Sequence, residues 1–124
     1  MRLVIVESPY AGDIEANVEY ARRAMRHCLD LGEAPYASHL LYTQPHVLDD
    51  SIPTERDRGI QAGYEWLSKA DFVAFYVDRG WSSGMLKALK VARMLSKPVG
   101  PRSLKGLQFR APNIYLEEVL RESH

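Results

Sequence analysis

Several polar side chains directly follow short apolar segments of the sequence, and these are the groups with which the chain could do chemistry. Asp78 follows the apolar residues 72–77, where a carboxylate can accept hydrogen bonds from sugar hydroxyls or act as a general base. His39 and Tyr42 follow a second such segment, residues 34–38, and could hydrogen-bond a base or a ribose. The turn 8–13 follows the first segment, and free backbone N–H groups before a helix can hold a phosphate or a sugar oxygen.

Each of these features also has a purely structural interpretation. The segment 8–13 is compatible with an ordinary turn, because it lacks a glycine-rich phosphate-binding pattern. His39 could be structural or simply exposed, as single histidines usually are, and Asp78 could cap the helix that follows it. The acidic residues within 49–55 stand before a helix and match no metal-binding loop, so no metal site is predicted.

Apolar segments alternate with helical patterns along the chain, which predicts a parallel sheet. The predicted strands are residues 2–6, 34–38, 72–77 and 97–99, and the predicted helices run from Asp13, as N-cap, to Gly32, from about 53 to 69 and from about 83 to 95. Residues 39–52 are expected to form a long loop. The tail 113–122 looks helical, although residues 114–116 could form an edge strand.

The helical spacing also predicts which side chains face the core. The residues expected there are Ile14, Val18, Ala21, Met25 and Cys28 in the first helix, Ile60, Tyr64 and Leu67 in the second, and Met85, Ala88, Leu89, Ala92 and Leu95 in the third. Gly59 and Gly63 are expected to let the second helix pack closely.

The fold class that follows is α/β, a doubly wound parallel sheet with right-handed crossovers. Such sheets bind ligands beyond the carboxyl ends of their strands, near the point where the strand order reverses. The segments 7–13, 38–50 and 78–84 are predicted to meet there. We therefore expect the site at this edge of the sheet.

Composition excludes several classes of partner. The chain has 124 residues, which fits one domain over 1–124. It carries 16 basic and 16 acidic side chains, so neither a nucleic-acid-binding surface nor a membrane-binding surface is expected.

Cys28 is the single cysteine, which excludes an internal disulfide and fits a cytoplasmic protein. The apolar start of the chain is too short for a signal peptide, and the zero net charge favours a homo-oligomer.

Four short motifs together resemble a known superfamily. They are Val4-Ile5-Val6-Glu7-Ser8-Pro9-Tyr10, the segment from Asp71 to Asp78, Gly84-Met85, and Lys97-Pro98-Val99. Their order and spacing, over most of residues 2–100, resemble the nucleoside 2-deoxyribosyltransferase-like superfamily and its small phage and bacterial relatives. The resemblance implies a flavodoxin-like sheet of four to five strands in a homo-oligomer that binds a nucleoside or nucleotide. It also implies cleavage of the N-glycosidic bond by a glutamate nucleophile.

The sequence departs from the superfamily at the nucleophile. The catalytic glutamate of the transferases directly follows a Gly-Met pair, or comes two residues later in some relatives, but this chain has Leu86 and Ala88 there. Glu7 and Asp78 are the nearest substitutes. The resemblance places Asp78 at the sugar as acid, base or ligand, and it places Tyr10 near the sugar.

Two main hypotheses follow, and a third remains. Asp78 could activate water for hydrolysis of the N-glycosidic bond, or the chain could bind or sequester a nucleotide without catalysis. A structural module that has lost the site is the third possibility. The predicted substrate-binding residues are Ser8, Tyr10, Gly12, His39, Tyr42, Gly80, Ser82, Ser83, Gly84 and Met85, with Asp78 as the catalytic residue. No cofactor is predicted.

Overall fold

A four-stranded parallel sheet forms the centre of the protein. The computed structural model describes residues 1–105. The strands are β1 (Leu3–Glu7), β2 (Ala34–Tyr36), β3 (Phe72–Tyr76) and β4 (Val99–Arg102), and the helices are α1 (Ile14–Asp30), α2 (Ser38–Leu41), α3 (Pro53–Lys69) and α4 (Ser83–Met94). All strand pairs are parallel, in the order β2-β1-β3-β4. The predicted α/β doubly wound sheet is confirmed.

Side-chain alternation along β1 divides the core into two layers. Val4 and Val6 pack against α1, whereas Ile5 packs against α3 and α4 on the opposite face of the sheet. Because successive strand residues point to opposite faces, Glu7 lies on the same face as Ile5. This places a carboxyl group at the carboxyl end of the central strand, between α3 and α4.

The ends of several elements differ from the prediction. β2 ends at Tyr36, and residues 38–41, expected to lie between a strand and a loop, form the short helix α2. β4 extends to Arg102 because its backbone follows β3 through four register positions. The predicted tail elements 113–122 lie outside the described residues.

The buried faces of the helices also differ in part from the predicted stripes. Ile14, Ile60 and Leu95 are exposed: Ile14 is the first residue of α1, Leu95 follows the last residue of α4, and Ile60 lies in the middle of α3. The residues of α1 that are buried are Asn17, Tyr20, Ala21, Ala24 and Cys28. The polar groups of Asn17 and Tyr20 therefore lie on a face of α1 for which only apolar residues were predicted.

Gly63 brings α3 close to the start of α2, as expected for a small residue. A Cβ atom at Gly63 would lie 3.0 Å from the Ser38 hydroxyl oxygen and 3.1 Å from its Cβ. The missing side chain thus allows Ser38, and His39 behind it, to sit against α3. No helix within residues 1–105 has the length and apolar character needed to cross a membrane.

Candidate functional site

A cavity opens at the carboxyl end of β1, between the loop 8–11, α2, α3 and α4. We call it the β1 cavity, and its volume is about 180 Å³. Seven of the predicted substrate-binding residues line it: Ser8, Tyr10, His39, Ser82, Ser83, Gly84 and Met85. The sequence thus predicted the segments that meet here. His39 was predicted as a substrate-binding residue, whereas Glu7, which also lines the cavity, was not.

Glu7 places a carboxyl group in the wall of this cavity. The residue is half-buried, and within residues 1–105 its carboxyl group has no hydrogen-bond or ionic partner. Burial without compensating contacts disfavours the charged form and raises the pKa of Glu7 from 4.5 to about 8. Tyr64 lies near enough that, in addition to its own burial, the Glu7 charge raises the pKa of the Tyr64 hydroxyl. At neutral pH Glu7 is therefore a protonated acid that can donate a hydrogen bond or a proton.

His39 and Ser8 form a neutral hydrogen-bonded pair beside Glu7. The Ser8 hydroxyl oxygen lies 3.1 Å from His39 Nε2, and Ser8 is buried. Burial lowers the pKa of His39 to about 4, so its ring is uncharged at neutral pH. The ring of Tyr10 meets that of His39 edge-on, with the centroids 5.8 Å apart. An aromatic wall and a neutral polar pair suit an uncharged polar ligand such as a sugar ring or a base.

Cationic side chains and free backbone donors also line the cavity. Arg56 from α3 and Lys87 from α4 line it, and so does the carboxylate of Asp50. Ser82 caps α4, because its hydroxyl accepts from the backbone N–H of Met85 at 3.2 Å. The first backbone N–H groups of a helix have no intrahelical acceptor, so Ser83 and Gly84 offer two donors there. This part of the cavity can hold an anionic group.

The structure does not bring Asp78 to the β1 cavity. Its carboxylate accepts hydrogen bonds from Tyr20 Oη at 2.7 Å, from the Ser103 hydroxyl and from the backbone N–H of Leu104 at 2.9 Å. Burial opposes ionisation of Asp78, but these hydrogen bonds outweigh it and hold the pKa of Asp78 below its usual value. Ala74 and Tyr76 face α1, and the alternation along β3 continues this side to residue 78. Asp78 is thus an ionised anchor for the segment after β4.

Gly12, Gly80 and Tyr42 lie outside the lining of the β1 cavity. Gly12 and Gly80 have φ angles of 95° and 85°, so they serve the turns that lead into α1 and α4. Tyr42 accepts a hydrogen bond from Trp66 Nε1 at 3.0 Å, and it lines a smaller neighbouring pocket with His39. Its observed contacts hold α2 against α3.

Comparison with known proteins places the chain in a family. Residues 2–102 match the family described as "Domain of unknown function (DUF7768)". The chain belongs to this family. No curated protein sequence matches it significantly.

A solved structure shares the fold of this DUF7768 domain. The 2-deoxyribosyltransferase from the psychrotolerant bacterium Bacillus psychrosaccharolyticus superposes with a TM-score of 0.69 at 19% identity, over 95% of this chain and 82% of that one. This likeness confirms the fold relationship that the four short motifs indicated. At this identity it shows the fold alone.

Sequence reasoning missed several groups of the DUF7768 site. Arg56 and Lys87 lie on helix faces that also carry solvent-exposed charges, so nothing in their spacing distinguished them, and Tyr64 was predicted only as a core residue. Glu7 was named only as a possible substitute for the nucleophile, although it ends a buried strand and points to the same face of the sheet as Ile5. No group of three or more metal-ligating side chains occurs within the described part of the chain.

Proposed function

We propose that the β1 cavity binds a nucleotide and that Glu7 donates a proton to the base as the N-glycosidic bond breaks. The observation that carries this proposal is a desolvated carboxyl group, with a pKa of about 8, in a cavity that also offers neutral polar groups and cations. A carboxylic acid that stays protonated at neutral pH is suited to protonate a leaving group. The shared fold with a 2-deoxyribosyltransferase supports a nucleoside as the substrate class.

The proposed reaction is a hydrolysis that balances without a cofactor. The bond from the anomeric carbon to the base nitrogen breaks, and its electron pair leaves with the base. Glu7 supplies the proton that the base nitrogen takes up. Water forms the new bond to the anomeric carbon and returns a proton to the Glu7 carboxylate, which restores the acid. The transition state has oxocarbenium character, and the Asp50 carboxylate in the cavity wall is available to hold the sugar hydroxyls.

A nucleotide fits the cavity better than an uncharged nucleoside. Arg56 and Lys87 bring two positive charges, and the first turn of α4 adds the backbone donors of Ser83 and Gly84. Together these groups match a phosphate. The neutral pair Ser8–His39 and the ring of Tyr10 then face the sugar and the base.

A binding protein without catalysis is the second candidate. The observation that favours it is the composition of α4, which presents Ala88 to the cavity and carries Leu86 beside it, so that this helix supplies no carboxylate. Asp78 cannot substitute readily, because its oxygens are already bonded to Tyr20, Ser103 and Leu104. In this case Glu7 would only donate a hydrogen bond to the bound nucleotide.

Mass spectrometry with pooled nucleotides separates the two candidates. The full chain is incubated with ribo- and deoxyribonucleoside monophosphates and with the matching nucleosides, then measured under native and denaturing conditions. Free base that accumulates with time supports hydrolysis. An intact nucleotide that travels with the native protein and is released on denaturation supports binding alone. Both candidates would be overturned if no free base accumulates and no nucleotide travels with the native protein.

Replacement of Arg56 tests the phosphate assignment. We expect Arg56→Gln to raise the Kd of the bound monophosphate about tenfold, because one charge-assisted hydrogen bond is worth roughly 1.5 kcal/mol or more. The Kd of the matching nucleoside should not change. Arg58→Gln is the matched control, since Arg58 is an exposed arginine of the same helix that does not line the cavity. Isothermal titration calorimetry measures both constants, and equal effects of the two variants would contradict the assignment.

A further inference from the structure

The side chain of Asn17 joins the two loops that frame the β1 cavity. Asn17 is only 4% exposed and lies on the sheet-facing side of α1. Its Nδ2 group donates to the backbone carbonyls of Tyr10 and Ala11, both at 3.0 Å. Its Oδ1 atom accepts from Arg79 Nε at 2.8 Å. One buried amide thus uses both of its donor hydrogens and its acceptor across two separate loops.

Both loops carry residues of the cavity wall. The first, 8–13, holds Ser8, Tyr10 and Ala11, and the second, 77–82, leads from β3 to Ser82 and the start of α4. Gly12 and Gly80 have positive φ angles and offer no side-chain contacts of their own near these bends. The Asn17 amide is therefore a direct tie between the two loops, and it lies outside the cavity.

We infer that Asn17 is a positioning residue that fixes the two loops relative to each other, so that Tyr10 and the first turn of α4 face one ligand together. This inference rests on the proposed nucleotide site. The chemistry requires an amide, because aspartate at this position would set carboxylate oxygens against the carbonyls of Tyr10 and Ala11. A buried donor–acceptor group of this kind specifies one arrangement of its neighbours.

Hydrogen exchange and nucleotide affinity test the role of Asn17 in the full chain. We expect Asn17→Asp to speed amide exchange in both loops about tenfold and to raise the Kd of the monophosphate about tenfold, while exchange in α3 is unchanged. The size reflects the loss of buried hydrogen bonds worth about 1.4 kcal/mol or more. Glu19→Gln, an exposed position on the same helix, is the control and should change neither quantity.

Arg79→Gln is the second variant. It removes the hydrogen bond from Arg79 to Asn17 by changing an exposed residue, and the buried Asn17 stays unchanged. It should speed exchange in 77–82 and leave 8–13 protected. If Asn17 merely stabilised the fold, Asn17→Asp would speed exchange throughout the sheet and leave the Kd of the folded fraction unchanged, which would overturn the inference. A wild-type protein that binds no nucleotide would instead overturn the proposed function. In that case the exchange pattern alone decides whether Asn17 joins the loops.

Discussion

Glu7→Gln is expected to reduce the rate of base release by a factor of about 10² to 10⁴, the usual contribution of a general acid. Glutamine has nearly the same shape as protonated glutamate and can still donate a hydrogen bond, but it cannot transfer a proton. Because burial raises the pKa of Glu7 to about 8, wild type and variant are both uncharged here at neutral pH. The Kd of the monophosphate should therefore change by less than about threefold. Single-turnover measurement of free base, with calorimetry for binding, checks both parts.

The pH dependence gives an independent check on the same group. The rate of the bound complex should be constant below about pH 7 and fall about tenfold per pH unit above 8, because the protonated form of Glu7 is then lost. Glu15→Gln is the matched control, since Glu15 is an exposed carboxylate in the first turn of α1, and it should behave as wild type. A Glu7→Gln variant with more than about a tenth of the wild-type rate would show that Glu7 is not the acid.

The location of the site followed from the sequence more reliably than the roles of its residues. Apolar segments and helical spacing identified the four strands of the described residues 1–105, and the parallel order of such strands brings the turns after β1 and β3 together. Ser8, Tyr10, His39 and Ser82 meet in one cavity for this reason. These are consequences of hydrophobic periodicity, which one sequence displays directly.

The roles depend on which face of the sheet each side chain occupies. Glu7 ends β1 and Asp78 lies two residues beyond the end of β3, but side chains alternate between the two faces of the sheet, so Asp78 faces α1 and Glu7 faces the cavity. Residues 72–77 are apolar throughout, so the sequence does not show which of them face α1, and the side on which Asp78 lies could not be predicted. Asn17 was missed for a related reason. An asparagine on a helix face is identified as a tie only when the two loops that it reaches are known.

A second large effect is expected far from the cavity, at the buried carboxylate of Glu33. Glu33 is 5% exposed, and Arg102 contacts its two oxygens at 2.7 and 2.9 Å. Arg2 adds a third contact at 2.6 Å, and both guanidinium groups lie over the ring of Phe72. Glu33→Gln should lower the free energy of unfolding by about 3–5 kcal/mol, because it leaves the largely buried charge of Arg102 without its counter-ion. Urea denaturation measures this loss.

Arg2→Gln is the control for this network and should cost less than about 1 kcal/mol, because the Arg2 side chain is 53% exposed and its ion pair is screened by solvent. Hydrogen bonds from Arg102 lower the pKa of Glu33 to about 2, against 4.5 for the free group. The stabilisation is therefore fully present above about pH 4.5 and is lost as the pH falls towards 2. Wild type should lose more stability than Glu33→Gln across this window. Equal slopes for the two proteins would show that the carboxylate does not tie the end of β4 to the start of β2.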